Sequence, residues 1–225
     1  KGHTITDEEA EGTYIAILLH DIGHGPFSHT LENSIVKNMC HEDLSELFIS
    51  NLNQQFNDRF QIAIKIFNDS YPKHFLHQLV SSQLDMDRLD YLKRDSFYTG
   101  VSEGSISTDR IIKMLNVKED KLVVEAKGIY SIENFIISRR LMYWQVYLHK
   151  TSISADSLLN KILIRAKFLA ENKIDVFATP ALKTFLTNQY SKKDFAHTPD
   201  LLNTFADLDD TDIISSVKVW QKHND

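Results

Sequence analysis

The sequence predicts an all-α fold interrupted by one small β-hairpin near residues 115–125. Three observations predict it. The 225 residues contain only four prolines and seven glycines, so breaks are few. Apolar residues recur at three- and four-residue spacing along most of the chain, the period of an amphipathic helix. Strand-like patterning is confined to residues 115–117 and 122–125, joined by the polar turn Lys118, Glu119, Asp120 and Lys121.

The elements follow in order. Thr6 with Asp7 and Glu8 supplies an N-cap and an acidic first turn for a helix through Tyr14, Ile15, Leu18 and Leu19. Gly23, Gly25 and Pro26 end it, and Pro26 suits the first turn of a second helix over residues 27–39. Helical spacing continues over residues 42–52, 61–67, 74–95, 107–115, 131–151 and 154–171. Beyond residue 172 the pattern becomes more polar, around Pro180, Pro199 and the acidic stretch "DLDDTD". This predicts a core over residues 1–171 and a smaller C-terminal helical lobe, residues 172–225, on the same body.

Composition narrows the functional classes. With 42% hydrophobic and 25% charged residues, the chain can bury an ordinary soluble core. No apolar run approaches the roughly 18 residues of a membrane span. The single cysteine, Cys40, rules out an internal disulfide and a zinc site of several thiolates, and points to a cytoplasmic protein. A net charge of −6 argues against nucleic acid as a partner, since neutralising phosphates needs a basic excess. A small basic pocket for one phosphorylated metabolite remains compatible with it.

Three stretches carry chemistry. In "LLHDIGHGPFSHTLE", His20 and Asp21 adjoin a helix end, with His24 and His29 around a Gly-Pro break. Imidazole and carboxylate together suit a transition metal such as Zn, Mn, Fe, Co or Ni. Neighbouring helix residues diverge by about 100°, so the pair can share an ion only over the helix terminus. Further carboxylates must come from elsewhere. In "LDMDRLDYLKRD", Asp87, Tyr91 and Asp95 line one helix face, while Asp85 and Asp90 point away from it. A solvated acidic face would have a similar composition, but a tyrosine between two aspartates reads as a polar cleft wall. In "SRRLMYWQVYLHK", Arg139, Tyr143 and Tyr147 repeat the same spacing. That pattern suits a phosphate plus a base or sugar, or equally a core helix with snorkelling arginines.

"HDIGHGPFSH" resembles the signature of the HD-domain phosphohydrolases. It is most similar to the branch of dGTP triphosphohydrolases and the vertebrate SAM-and-HD-domain dNTP triphosphohydrolase. "DMDRLDYLKRD" with "TGV", and "YLHK", resemble two further signatures of that branch, and the resemblance runs from about Thr6 to Lys167. It implies a mainly helical HD-domain fold and His20, Asp21 and Asp87 as ligands of a divalent metal ion, with Mg added to the metals above. It makes His24 and His29 active-site histidines, with Glu32 and His41 as their partners. Arg88 would meet the phosphates, Tyr91 a phosphate or the sugar, Asp95 the sugar 3′-hydroxyl, and Arg139 the terminal phosphate; Tyr147 would pack on the sugar. Glu32 stands where the family more often has aspartate, and Leu148 where the vertebrate relative has glutamine. A further ligand histidine and an arginine are expected well upstream of the pair, so the metal site of residues 1–225 is expected to be incomplete.

The residues and the resemblance agree on metal-assisted phosphate ester hydrolysis, and the resemblance implies a deoxynucleoside triphosphate as substrate, with a deoxynucleoside and triphosphate as products. Expelling an alkoxide requires a proton donor, and His29, held by Glu32 and His41, is the side chain suited to it near neutral pH. The alternatives are hydrolysis of another nucleotide or phosphate ester, or a non-catalytic nucleotide-responsive regulator. Family members assemble as homo-oligomers and some respond to a nucleotide activator, which makes His149 and Lys150 interface candidates. Lys173, Lys183, Lys192 and Lys193 read as a solvated face.

Overall fold

The structure is a computed structural model that describes residues 2–36 and 39–224. Helices make up 68% of the chain and its strands pair as one two-stranded sheet, so the all-α reading with a single hairpin holds. Among the described residues no helix is long and apolar enough to cross a membrane. The chain divides into two compact units. The first joins the residues up to His20 with Leu52–Ile153; the second joins Asp21–Asn51 with the chain from Ser154 onward.

The first unit begins with α1, Asp7–Leu19, whose capping box is complete: Glu9 N–H donates to Thr6 Oγ1, and Thr6 N–H to Glu9 Oε2. The buried Glu9 carboxylate also accepts from Lys73 Nζ at 2.6 Å and Tyr71 Oη at 2.9 Å. The Lys73 hydrogen bond leads the interactions that hold Glu9 below its ordinary pKa. Gly12 and Ala16 let α4, Gln61–Phe67, lie close against α1; a Cβ at Gly12 would meet Ile62 Cγ2 at 2.6 Å. Ala63, Ile66 and residues of α5, His74–Val80, complete that core. A second core in this unit buries Leu89 and Leu92 of α6, Met86–Thr99, with Ile111 of α7, Thr108–Met114, and Phe135 and Met142 of α8, Ile129–Met142.

The hairpin pairs β1, Leu115–Lys118, with β2, Lys121–Val124, in the register Leu115↔Val124. Glu119 and Asp120 both have positive φ, 50° and 58°, as a two-residue type I′ turn requires.

In the second unit, the core gathers apolar side chains of α2, Glu32–Ile35, and α3, His41–Gln55, with α9, Lys150–Glu171, and four shorter helices. These are α10, Pro180–Thr187; α11, Lys192–His197; α12, Pro199–Ala206; and α13, Asp210–Trp220. Lys192 is not merely part of a solvated face, since its Nζ stands 2.6 Å from Asp43 Oδ1 and so ties α11 to α3.

Three helical expectations need correction. The helix expected over residues 27–39 is a 3-10 turn at Ser28–Thr30 followed by the single turn α2, and its positions 37 and 38 lie outside the described residues. Phe27 and Ser28 take positive φ, 53° and 46°, which cannot continue a right-handed helix. The helix expected over residues 74–95 is interrupted after Val80, because Asp85 turns its side chain back to accept from Ser82 and Arg88 N–H groups and so starts α6. The helix expected over residues 131–151 gives way to a π-helical turn at Tyr143–Tyr147, with α9 beginning at Lys150.

Candidate active site

His20 is the residue that caps α1, and its Nδ1 lies 2.7 Å from the Ile17 carbonyl, one of the acceptors a helix end leaves without a partner. With Nδ1–H donating there, Nε2 carries the ring's lone pair. Asp87, in the first turn of α6, places its Oδ1 4.0 Å from that Nε2. The gap is too wide for a direct hydrogen bond. It suits two donors sharing one cation, since His and carboxylate ligands each stand about 2.0–2.2 Å from such an ion. A ligating histidine that donates its other N–H to a carbonyl is also the usual arrangement around a metal. The donor set therefore fits a divalent ion, and Asp21 follows His20 directly in the chain.

The remaining residues of the motif form a compact group in the second unit. Glu32 Oε1 accepts from the His41 ring at 2.7 Å and from the His41 backbone N–H at 2.5 Å, while His29 Nδ1 stands 3.4 Å from Oε2. Burial by itself raises the Glu32 carboxyl, but the bonds from His41 and His29 outweigh it and hold the group below the usual carboxylate range. A charged Glu32 thus faces both rings. His24 is pushed below the ordinary histidine value by burial first and by the neighbouring His41 second, and its buried Nδ1 has no hydrogen-bond partner.

Ring nitrogens of His24, His29 and His41 lie within 4.8 Å of one another, a spacing that by itself would permit a metal. Orientation speaks against it. His24 and His41 stack at 4.1 Å with planes 12° apart, so their in-plane lone pairs run side by side and do not converge. His29 meets both edge-on, at 4.6 and 5.0 Å. This group suits moving a proton better than gripping an ion.

Gly23 makes the arrangement possible. A Cβ there would meet the His41 carbonyl at 2.2 Å and Ser45 N at 2.3 Å, both backbone atoms of α3, and Gly23 N–H donates to Ser45 Oγ at 2.9 Å. Gly23→Ala is expected to lower stability by about 1–3 kcal/mol, because the first turn of α3 must retreat. A urea melt checks this; an unchanged midpoint would mean that α3 docks without needing the contact.

The third group lies in the first unit. Tyr147 Oη donates to Asp95 Oδ2 at 2.6 Å, and burial together with this bond raises the tyrosine pKa strongly. Tyr91 packs edge-on to Tyr147 at 6.0 Å, and Tyr143 does so at 5.2 Å. The Arg139 guanidinium lies 5.7 Å from the centre of the Tyr143 ring and donates to Gln83 Oε1 at 3.0 Å. Arg88 pairs with the buried Asp85, while its buried Nε has no hydrogen-bond partner. Asp90 pairs with Arg94 on an exposed face, apart from Asp87, Tyr91 and Asp95 as the helical spacing implied. His149 and Lys150 are exposed.

Sequence reasoning missed Gln83 and the π-helical turn under Tyr147, although π-turns recur at functional sites. It also missed the scaffold behind Glu32. Asn160 of α9 donates to the Thr30 carbonyl and accepts from Ser34 Oγ, and the buried Lys167 donates to the Ile35 carbonyl at 3.1 Å. No local pattern marks these partners; Lys167, set among the apolar positions Leu163, Ala166 and Ala170, was the one available hint.

Comparison with known proteins places these groups in a wider setting. Residues 2–95 match the HD domain family and residues 106–193 match the HD associated region. The uncharacterized protein YwfO of Bacillus subtilis is 41% identical over 170 residues, covering 72% of this chain and 39% of that protein. The deoxynucleoside triphosphate triphosphohydrolase SAMHD1 homolog of Dictyostelium discoideum is 29% identical over 172 residues, covering 69% of this chain and 33% of that protein. The chain thus spans less than half the length of these curated relatives. The crystal structure of a phosphohydrolase from Bacteroides thetaiotaomicron is similar over the whole chain and 56% of its own, with a TM-score of 0.95 and 57% identity.

Proposed function

From the premise that this chain, an HD domain followed by an HD-associated region, belongs to the HD phosphohydrolase superfamily, we propose that it hydrolyses deoxynucleoside triphosphates to deoxynucleoside and inorganic triphosphate. The observation that carries the proposal is the approach of His20 Nε2 to Asp87 Oδ1, two metal-compatible donors brought together from distant parts of the sequence. In this reading His20, Asp21 and Asp87 hold a divalent cation. Held there, such an ion would supply Lewis-acid polarisation of a phosphoryl oxygen and would lower the pKa of bound water towards about 7. Which of Mn, Mg, Fe, Zn, Co or Ni it is does not alter the roles of the protein groups.

The roles proposed for those groups extend what the family resemblance implies. Water attacks the α-phosphorus, the bond to the 5′-oxygen breaks, and His29 gives that oxygen its proton. Glu32 stays charged beside His29 and His41 and so stabilises the protonated imidazole that does the work. Arg88 and Arg139 offset charge gathering on the phosphates. Asp95 accepts from the sugar 3′-hydroxyl through the oxygen that Tyr147 does not engage, Tyr91 meets a phosphate or the sugar, and Tyr147 packs on the sugar. His24, held below the ordinary histidine value by burial, packs its ring on His41 and so helps to position it. The assembly we propose is a cytoplasmic homo-oligomer, with a nucleotide activator as a further partner at the His149 and Lys150 surface.

A second reading keeps these residues and changes the substrate to a nucleoside monophosphate, a cyclic dinucleotide or another phosphate ester. The Arg88–Asp85 pair favours it, since part of the Arg88 charge is already matched within the protein. Incubation of the full-length protein with each dNTP and Mn²⁺ or Mg²⁺ decides between them. Inorganic triphosphate is the expected product. Hydrolysis only of a nucleoside monophosphate or a cyclic dinucleotide assayed beside the dNTPs supports the second reading, and no hydrolysis of any of these substrates supports a nucleotide-responsive regulator.

A further inference from the structure

We infer that Asp210, in the C-terminal helix α13, is a positioning residue for His29, acting through the backbone of Phe27; the inference rests on the catalytic reading of His29 given above. Phe27 follows Pro26, which has no N–H, so the Phe27 N–H is the first backbone donor after the Gly-Pro break on the way to His29. Asp210 Oδ1 accepts from it at 2.7 Å across 183 residues of sequence. Phe27 and the next residue, Ser28, are both held at positive φ although neither is glycine. Side chains disfavour that conformation, and a run of two persists only where the surroundings over-determine it.

The far side of the same loop is already accounted for. Thr30 and Ile35 carbonyls accept from Asn160 and Lys167, and Ser28 N–H donates to the Gly25 carbonyl at 3.0 Å. The Phe27 side chain packs against the core of the second unit, but among the described hydrogen bonds the one from Phe27 N–H is what ties the backbone of the left-handed pair to another element. Without it the pair is freed to relax towards negative φ, and His29, one residue beyond Ser28, swings off Glu32. The 3.4 Å separation of His29 Nδ1 from Glu32 Oε2 has little margin to spare. The capping box of α13, Asp209 with Asp212, holds Asp210 in place but makes no bond to the loop among those described.

The test compares four variants of the full-length protein. Asp210→Ala is expected to lower kcat by about 10- to 100-fold, the scale of a small misplacement of a catalytic group, with KM and metal content unchanged. Asp210→Asn keeps an acceptor oxygen and is expected to stay within about threefold of the wild type in kcat. Ser28→Gly added to Asp210→Ala is expected to recover much of the lost kcat, because glycine adopts positive φ without strain. Asp212→Ala weakens the same helix end and is expected to lower Tm while leaving kcat in place. Full kcat in Asp210→Ala, or an equal loss in Asp212→Ala, overturns the inference, as does a failure of Ser28→Gly to recover any activity. A readout without substrate separates this from the proposed function. The imidazole NMR signals of His29 should shift in Asp210→Ala and stay put in Asp210→Asn, whatever the protein hydrolyses, and His29 signals unmoved in Asp210→Ala overturn the inference.

Discussion

His29→Ala is expected to lower hydrolysis by a factor of about 10² to 10⁴ while leaving metal and nucleotide binding in place. The imidazole side chain is 70% exposed, so its loss opens no cavity in a core, and α2 and α3 keep their contacts. What disappears is the group placed to protonate the departing 5′-oxygen, with the charged Glu32 beside it to stabilise its protonated form. Single-turnover measurement at saturating dNTP isolates that step, and circular dichroism with metal analysis shows whether the rest of the molecule is intact. Turnover within about tenfold of the wild type would move the proton to another donor, with His41 the next in line.

Asp87→Ala is expected to strip the metal. Removing the groups that merely orient a ligand commonly costs 10- to 100-fold in affinity, so removing a ligand should cost more than about 100-fold. Dialysed protein should then contain metal only at background by elemental analysis, and hydrolysis should fall with it. Loss of an acidic side chain from the first turn of α6 costs no more than about 1 kcal/mol of stability, so unfolding is not the expected cause. Asp90→Ala provides the comparison: it lies on the same helix, pairs with Arg94 on an exposed face, and should leave metal content unaltered. A purified Asp87→Ala protein with its full metal complement would remove this carboxylate from the site.

Much of the local structure was legible before any coordinates. Thr6 with Asp7 and Glu8 announces the start of α1, and the glycine-rich break announces its end at His20. The stripe of Asp87, Tyr91 and Asp95 reappears on α6 as a half-buried row, with Tyr91 packed against the core that takes in Leu92. Failures cluster where a distant partner overrides local preference. Residues 27–39 scan as a helix, yet Asp210, Asn160 and Lys167 satisfy the backbone groups that a helix would otherwise pair internally. Asp85 scans as one more surface carboxylate, yet it is buried and begins α6.

Local pattern alone fixes the helical class, several of the helices such as α1, α3 and α4, the hairpin and the chemical identity of the candidate groups, because periodicity, capping and residue type act over a few neighbouring positions. What only the tertiary structure decided is which of those groups meet. His20 and Asp87 come within 4.0 Å because α1 ends where α6 begins its first turn. His41 reaches Glu32 because Gly23 leaves room for the first turn of α3. Such meetings depend on packing between segments far apart in the chain, and no local period records them.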